Sequence, residues 1–375
     1  MTDPTGNRLK RDGTADLLKG LAVLFMIQVH IMEQFATNDT FNSVIGKISM
    51  FLGGPFCAPV FLAVMGYFLA VSAKPLIYFL KRGALLFLGG ILLNTARSAN
   101  LLVQIAQGEI SLDPWFFILG ADIFTLAGLS LVLIGIVRMI YKEKTLLYIL
   151  TALVVAAISP FLNQDRLDGI IPAQIIAFFW GTQEWSYFPL FPWFAYVLSG
   201  YAFRLFLKRN PIACKIDIKN QYIYFIPLMI GVIITMPYAA AIAHNLNGPG
   251  GYYHHGILFF GWVLLFMVSY LILVKLVDIS YGNYLVARGL KWIGQKVTSL
   301  YVIQWLIIGN LAPWLFKSQN LFQFLAWFVM VTLVTLPLGL FVEKIPKIYR
   351  RLFFRNASWL KTPWQVPPAR QDDQA

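Results

Sequence analysis

Four side chains near the N-terminus, Asp16, Lys19, His30 and Glu33, have types and spacings that could do chemistry on one helix. At 100° per residue, steps of three and four place them on one face, with His30 only about 20° from Lys19. A rise of ~1.5 Å per residue separates Lys19 from His30 by about 16 Å along the axis. Such a helix presents a cation at one end and an imidazole with a nearby carboxylate at the other. A neutral imidazole flanked by a carboxylate is the pair needed to take a proton from a hydroxyl or amine.

Each of these residues also has an ordinary structural interpretation. Lys19 is suited to anchoring a helix at the cytoplasmic surface. His30 could be a hydrogen-bonded residue of the core, and Glu33 could lie at the outer rim of the bundle. Their alignment on one stripe favours a functional interpretation over four unrelated ones. His30 and Glu33, at i and i+3, also form half of a carboxylate and histidine metal motif. Since no second pair occurs within a predicted span, we expect no metal site.

The sequence around this stripe is too apolar for a soluble protein. Of its 375 residues, 58% are hydrophobic and only 13% are charged, and ten membrane helices of ~20 residues would use most of the apolar residues. We predict an all-α membrane protein, a polytopic bundle of about ten transmembrane helices. Residues 1–345 would form its membrane domain and residues 346–375 a basic cytoplasmic tail. The predicted spans are 17–35, 50–73, 83–102, 115–138, 145–162, 188–207, 221–243, 257–277, 297–316 and 321–342.

Lysine and arginine are distributed unevenly between alternate loops of this arrangement. Of the 30 basic residues, 26 fall on one side, and only Lys47, Arg97, Arg166 and Lys317 fall on the other. Because cytoplasmic loops accumulate positive charge, both termini are predicted to lie in the cytoplasm. The net charge of +13 then follows from membrane orientation and contact with lipid headgroups. It does not require a nucleic-acid partner, because the charges are scattered over six segments. The short loops suit a bacterial inner membrane.

Further polar residues lie at a depth that matches His30 and Glu33. Asn94 and Arg97 fall toward the outer end of the third predicted span, and Asp122 falls about two turns below the outer surface in the fourth. Ionisable residues inside a membrane are costly and tend to mark function. We therefore expect these five residues to share one outward-facing cavity. Either Glu33 or Asp122 would fix the tautomer of the imidazole, and the spacing does not decide between them.

The first helix resembles a known signature. The stretch Asp16-Leu17-Leu18-Lys19-Gly20-Leu21-Ala22, followed by His30, is similar to the first helix of transmembrane acyltransferases. In type-3 membrane acyltransferases the basic residue is usually arginine, and Lys19 keeps the charge but loses the planar fork of a guanidinium.

Other stretches resemble more closely the heparan-α-glucosaminide N-acetyltransferase-like bacterial branch of that superfamily. Three of them resemble its second helix, its basic entry to the third helix and its sixth span, and a fourth resembles a late-helix motif of the wider superfamily. In that late motif a histidine often follows, whereas this chain has Gln304. The resemblance covers roughly residues 8–345. The four stretches are Ala58-Pro59-Val60-Phe61 through Phe68, Phe79-Leu80-Lys81-Arg82-Gly83, Phe188-Pro189-Leu190-Phe191-Pro192-Trp193 ending in Gly200, and Trp292-Ile293-Gly294 with Ser299-Leu300-Tyr301.

The resemblance implies transfer of an acyl group, usually acetyl from cytoplasmic acetyl-CoA, to a glycan or similar acceptor, often on the far side of the membrane. It implies acyl-CoA as the donor substrate, with no tightly bound cofactor. The CoA phosphates would meet the basic residues Lys19, Lys81 and Arg82, with Asp16 beside Lys19. His30 would act as general base for the acceptor or as an acyl-carrying nucleophile.

Candidate acceptor-binding residues lie toward the outer side. Aromatic faces beside amide and imidazole groups suit a sugar, which favours Trp193 and the loop that carries His254 and His255, together with Asn94 and Arg97. An interfacial aromatic belt is the alternative interpretation of the tyrosines in that loop.

Two functions of other classes also fit the pattern. A secondary transporter or flippase would use the stripe as an ion or proton path, although the first and last five spans show no repeat of the kind transporters often carry. A non-catalytic membrane protein of the same fold is favoured by Lys19 and Gln304. The sequence leaves open the acceptor, the acyl length and whether the chain pairs with copies of itself.

Overall fold

The computed structural model of the protein describes residues 12–162, 170–181, 184–210, 218–246 and 250–353. Within these ranges the chain is helical, with a short 3-10 turn at Tyr252–His254. Strands are absent from the described ranges, which contain only two isolated bridges, Ala36 to Gln319 and Ala121 to Ser186. In chain order the helices are α1 Gly13–Phe35, α2 Asn38–Asn42, α3 Val44–Gly53, α4 Ala58–Leu69, α5 Leu76–Arg97, α6 Ala99–Ala106, α7 Pro114–Ile118, α8 Ile123–Tyr141, α9 Thr145–Leu162, α10 Ile170–Ala177, α11 Leu190–Arg209, α12 Ile218–His244, α13 Ile257–Tyr281, α14 Leu285–Gln295, α15 Val297–Leu315 and α16 Leu321–Phe353.

In the described part of the chain, nine segments are long and apolar enough to cross a membrane. They coincide with nine of the ten predicted spans, which confirms a polytopic all-α membrane protein. The tenth predicted span, 297–316, is also a helix, α15, but it carries Gln304 and Asn310 and is not among these nine. The nine segments are Gly13–Phe35, Val44–Leu69, Leu76–Arg97, Ile123–Tyr141, Thr145–Leu162, Leu190–Arg209, Phe225–His244, Ile257–Tyr281 and Leu321–Val342.

Several helix ends differ from the predicted ones. Helix α8 begins after Asp122, not at residue 115, because Asp122 and Thr125 form a capping box that starts the helix there. Asp122 is therefore the N-cap residue of α8 and not a residue two turns inside a span. At the other end of the chain, α16 continues to Phe353 across the predicted boundary at residue 345. The rest of the predicted tail, from 354 onward, lies outside the described residues.

Helix α1 is the central element of the bundle. It packs against α3, α4, α13, α14, α15 and α16. Its side chains Ala22, Val23, Ile27 and Ile31 have no exposed surface, so most of its circumference is in contact with other helices. The stripe on its remaining face, by contrast, is open to a cavity.

A direct backbone contact joins α1 to α14 beside the stripe. A Cβ atom at Gly20 would lie 2.0 Å from the carbonyl oxygen of Leu290, and one at Gly294 would lie 1.8 Å from that of Asp16. Both distances are far shorter than van der Waals contact, so only glycine allows the two helices to approach this closely. Gly20 and Gly294 belong to the first-helix and late-helix motifs, and the packing gives a physical reason for both.

Candidate active site

A cavity of about 660 Å³ lies beside α1 and receives the predicted stripe. Lys19, His30 and Glu33 lie in its wall, so the periodicity placed these three residues on one face correctly, whereas Asp16 is buried beside Lys19 and does not line the cavity. We call the Lys19 end of this cavity the inner end and the Glu33 end the outer end, following the orientation predicted from the charges. One wall thus carries a cation, an imidazole and a carboxylate in succession.

The imidazole of His30 is held by Gln304 and Trp305 of α15. The amide Nε2 and Oε1 of Gln304 lie 3.0 Å and 3.3 Å from Nδ1 of His30. The Trp305 ring covers the imidazole with 4.1 Å between ring centroids and a tilt of 33°. When the amide oxygen accepts from Nδ1–H, the opposite nitrogen Nε2 is left unprotonated and can take a proton. Gln304, and not the predicted Glu33 or Asp122, is therefore the residue in contact with Nδ1.

A buried ion pair connects the predicted residues Arg97 and Asp122. Nη1 of Arg97 lies 2.8 Å from Oδ2 of Asp122, and only 11% and 6% of the two side chains are exposed. The hydroxyl of Tyr301 donates to Oδ1 of Asp122 at 3.0 Å. The Arg97 guanidinium in turn lies 4.3 Å from the centroid of the Trp305 ring. Asp122, Arg97, Trp305 and His30 therefore form a continuous series of contacts that joins α8, α5, α15 and α1.

Glu33 has partners other than His30. It interacts electrostatically with Lys317 and with the side chain of Tyr253. Lys317 follows α15, and its Nζ lies 4.8 Å from the centroid of the Phe41 ring. Glu33 thus belongs to a polar group at the outer end of the cavity, one helical turn beyond the imidazole.

Lys19 lies where two cavities meet at the inner end. Its Nζ is 2.8 Å from Oδ1 of Asp16, which is buried and so fixes the direction of the ammonium group. Lys19 also lines a second cavity of about 260 Å³, formed with residues 294–299 at the junction of α14 and α15. The cation is therefore accessible both from the main cavity and from this inner recess.

Two of the predicted donor-binding residues are not near either cavity. Lys81 and Arg82 are exposed on α5, and neither lines the main cavity or the inner recess. The physical reason is that α5 begins at Leu76, about two turns before the predicted start at residue 83. Lys81 and Arg82 are thus part of an exposed helical face and not of a loop at the cavity entrance.

Trp193 and His255 are buried behind the cavity wall, not within it. Nε1 of Trp193 donates to the carbonyl of Tyr253 at 2.9 Å. Nδ1 of His255 lies 2.7 Å from the carbonyl of Tyr252, and its Nε2 lies 2.8 Å from the hydroxyl of Tyr196. Burial lowers the pKa of His255 to about 3, so the ring is neutral at ordinary pH. These contacts hold the loop against α11 and leave Tyr252 and Tyr253 in the cavity wall.

Asn94 and His254 are likewise buried and absent from the cavity wall. Nδ2 of Asn94 donates to the carbonyl of Gly120 at 2.8 Å. Asn94 therefore fixes the turn that leads into Asp122. The structure does not bring either residue to a surface that a substrate in the cavity would touch.

The sequence pattern does not reveal the residues of α15 that complete the cavity wall beside the stripe. Tyr301 and Trp305 line the cavity, and Trp305 and Gln304 contact His30. The available signal was the lower apolarity of this helix and the position of Gln304, where the late-helix motif often has a histidine. No spacing within α1 could reveal these partners.

Comparison with known proteins bears on the same residues. Residues 11–233 match the family described as heparan-α-glucosaminide N-acetyltransferase, catalytic. No curated protein and no solved structure matches the chain. The matched segment contains Lys19, His30, Glu33, Arg97 and Asp122, whereas α15 lies beyond it. Because the match covers more than half of a chain that folds as a membrane-spanning bundle, the protein belongs to the heparan-α-glucosaminide N-acetyltransferase family of membrane acetyltransferases.

Proposed function

We propose that the protein transfers an acetyl group from acetyl-CoA, bound from the inner end of the cavity, to a hydroxyl or amine of an acceptor bound from the outer end. The observation that carries this proposal is the cavity with Lys19, His30 and Glu33 in one wall. A donor and an acceptor that enter from opposite ends can meet beside a single imidazole. The family supports acetyl transfer in general, the charge distribution favours a cytoplasmic donor side, and the short loops suit a bacterial inner membrane.

The inner half of the cavity suits the donor. Lys19 offers a charge-assisted contact to a CoA phosphate, and about 16 Å of helix separates it from His30. The wall between them is apolar, which suits the narrow pantetheine arm and excludes water from the thioester. The apolar residues that line this part include Phe61, Leu62, Met65, Phe68 and Leu86.

In the reaction we propose, Nε2 of His30 takes the proton from the acceptor hydroxyl or amine. The acceptor oxygen or nitrogen attacks the thioester carbonyl, and the carbon–sulfur bond breaks as the new ester or amide forms. The imidazolium returns its proton to the departing thiolate, which leaves as CoA. Gln304 supports this role in the amide orientation that directs its Oε1 at Nδ1–H, because Nε2 of His30 then stays available as a base.

The proposal is tested with purified protein in proteoliposomes, acetyl-CoA labelled in the acetyl group and methyl β-D-glucosaminide as acceptor. We expect release of CoA and label in the acceptor. Label that remains on the protein without acceptor, and that is lost in His30→Gln, would instead establish an acetyl-histidine intermediate. Solute uptake without CoA release would support a transporter and contradict the proposal.

The contact between Gln304 and His30 gives a first prediction. We expect Gln304→Leu to lower kcat on the order of 10- to 100-fold, because the imidazole loses the partner that sets its tautomer. Gln304→Glu keeps an acceptor for Nδ1–H and should retain more activity than the leucine variant. Steady-state kinetics of both variants, with thermal unfolding in detergent as the folding control, measure this effect. Equal kcat values for Gln304→Leu and the unsubstituted protein would contradict an orienting role.

The position of Lys19 gives a second prediction. We expect Lys19→Ala to raise KM for acetyl-CoA about 10-fold, the loss of one charge-assisted contact, with little change in KM for the acceptor. Lys19→Arg keeps the charge and should stay within about 3-fold of the unsubstituted protein. Lys81→Ala is the matched control, because Lys81 is exposed and lines neither cavity. If Lys19→Ala affects both substrates equally, or if Lys81→Ala has the same effect, the donor role of Lys19 is wrong.

A further inference from the structure

We propose that the acceptor is a membrane-anchored amphiphile, whose apolar chain lies at the outer rim of the cavity while its hydroxyl- or amine-bearing head reaches His30. The inference rests on the proposed function and specifies the acceptor class of the same site. It follows from the composition of the outer wall, the exposure of its rim and the pairing of its charges.

The outer part of the cavity carries a group of apolar side chains beside the polar residues Glu33 and Arg97. The apolar side chains come from the segment that spans α6 and α7 on one side and from the end of α15 on the other. A sugar chain threaded along such a wall would bury hydroxyl groups without hydrogen-bond partners, which costs free energy at each group. An alkyl or isoprenoid chain has no such groups. These lining residues are Leu101, Ile110, Leu112, Phe117, Ala312, Pro313 and Phe316.

Two of these lining residues are also widely exposed at the protein surface. Leu112 is 51% exposed and Phe316 is 61% exposed, so the cavity reaches the protein surface beside each of them. Their neighbours Trp115 and Trp314 are exposed as well. Exposed aromatic and apolar side chains at this level of a membrane protein lie at the boundary between lipid tails and headgroups. An apolar chain can therefore leave the cavity here and enter the outer leaflet without crossing water.

Hydrogen bonds between Asn310 and the start of α6 hold the helices beside this opening together. Nδ2 of Asn310 on α15 donates to the carbonyl of Ala96 at 2.9 Å. Its Oδ1 accepts from the backbone nitrogen of Asn100 at 3.0 Å, and its carbonyl accepts from Nδ2 of Asn100 at 2.9 Å. These bonds hold the start of α6 against α15, so the two sides of the rim are joined at their base and open toward Leu112 and Phe316.

The cation of the outer wall is already paired within the protein. Arg97 lines the cavity and is paired with Asp122. A polyanionic glycan would have to break this ion pair to find a cation in the wall. A head group without several negative charges binds with the pair intact, which favours an amphiphile over a sulfated or carboxylated polysaccharide.

The test compares dodecyl and methyl β-D-glucosaminide, which have the same head, as acceptors in proteoliposomes. We expect kcat/KM for the dodecyl compound to exceed that for the methyl compound by about 100-fold or more. Phe316→Asp should reduce this ratio at least 10-fold. Phe161→Asp is the matched control, since Phe161 is 75% exposed on α9 and does not line the cavity. Partitioning of the dodecyl chain into the bilayer alone would affect both variants equally.

A photoreactive diazirine at the end of the dodecyl chain provides a second measurement that does not depend on a folded variant. We expect the label on peptides within 101–117 or 309–316. Three results would contradict an amphiphilic acceptor without contradicting acetyl transfer itself. They are equal kcat/KM for the two glucosaminides, a ratio unchanged by Phe316→Asp, and transfer only to a free polyanionic glycan. Absence of CoA release with every acceptor would refute the proposed function itself, and this inference with it.

Discussion

His30→Ala is expected to lower acetyl transfer by about 10³-fold, the usual contribution of a positioned general base. The ring borders the cavity, and its removal takes away one ring contact with Trp305 and one hydrogen bond to Gln304. We therefore expect the variant to insert into the membrane and to unfold within a few degrees of the unsubstituted protein. Acetyl transfer from labelled acetyl-CoA and thermal unfolding in detergent measure the two quantities.

His244→Ala is the matched control for this experiment. His244 also lies toward the outer end of the bundle, but it stacks on Phe41 with 4.7 Å between ring centroids and hydrogen-bonds Asn42. It does not line the cavity, so its removal should leave acetyl transfer nearly unchanged. A His30→Ala variant that turns over as fast as His244→Ala would show that the imidazole is not the base.

Breaking the ion pair between Arg97 and Asp122 is expected to have the second largest effect on stability and acetyl transfer. Arg97→Leu leaves the Asp122 carboxylate buried without its ionic partner, and removal of one member of a buried pair costs about 3–5 kcal/mol. We expect a clear fall in the midpoint of thermal unfolding and a loss of acetyl transfer. The activity falls because Arg97 also packs on Trp305, which covers the imidazole.

A double substitution separates the structural part of this effect from the catalytic part. Asp122→Asn keeps an N-cap for α8 and removes the negative charge. In Arg97→Leu/Asp122→Asn no unpaired charge remains, so much of the lost stability should return. Acetyl transfer should stay low, since the guanidinium that supports Trp305 is still missing. Recovery of both stability and full activity in the double variant would reduce the pair to a structural role.

The periodicity of α1 was the most informative feature of the sequence. Helical geometry alone placed Lys19, His30 and Glu33 on one face, and the structure has all three in one cavity wall. The membrane spans can also be predicted from the sequence alone, because a bilayer requires long apolar segments whatever other helices pack against them. The fifth predicted span, 145–162, agrees with α9 at both ends.

The residues of other helices that contact His30 cannot be predicted in the same way. Gln304 follows His30 by 274 residues, and no local pattern fixes which side of α15 turns toward α1. Apolar residues on both sides of Asp122 predict that it lies inside a span. In the structure, the capping box decides where α8 starts. Side-chain contact between distant helices depends on their packing, which a span list does not contain.

Polar and aromatic residues on the outer side were misleading for a related reason. Trp193 and His255 have the chemistry of sugar contacts, yet they use their polar atoms to hold Tyr252, Tyr253 and Tyr196. A buried donor or acceptor must be satisfied somewhere, and the composition of a loop does not say whether backbone or ligand satisfies it. Among the described residues of this loop, Leu246 and the two tyrosines do reach the cavity.

The glycine contact between α1 and α14 limits the conformational changes that are open to the protein. Because the two backbones touch at Gly20 and Gly294 with no side chains between them, we expect α1 and α14 to move as one rigid body. The imidazole of His30 is part of that body. We therefore expect the entry of substrates and the release of products to depend on movement of helices that lack such a backbone contact with α1.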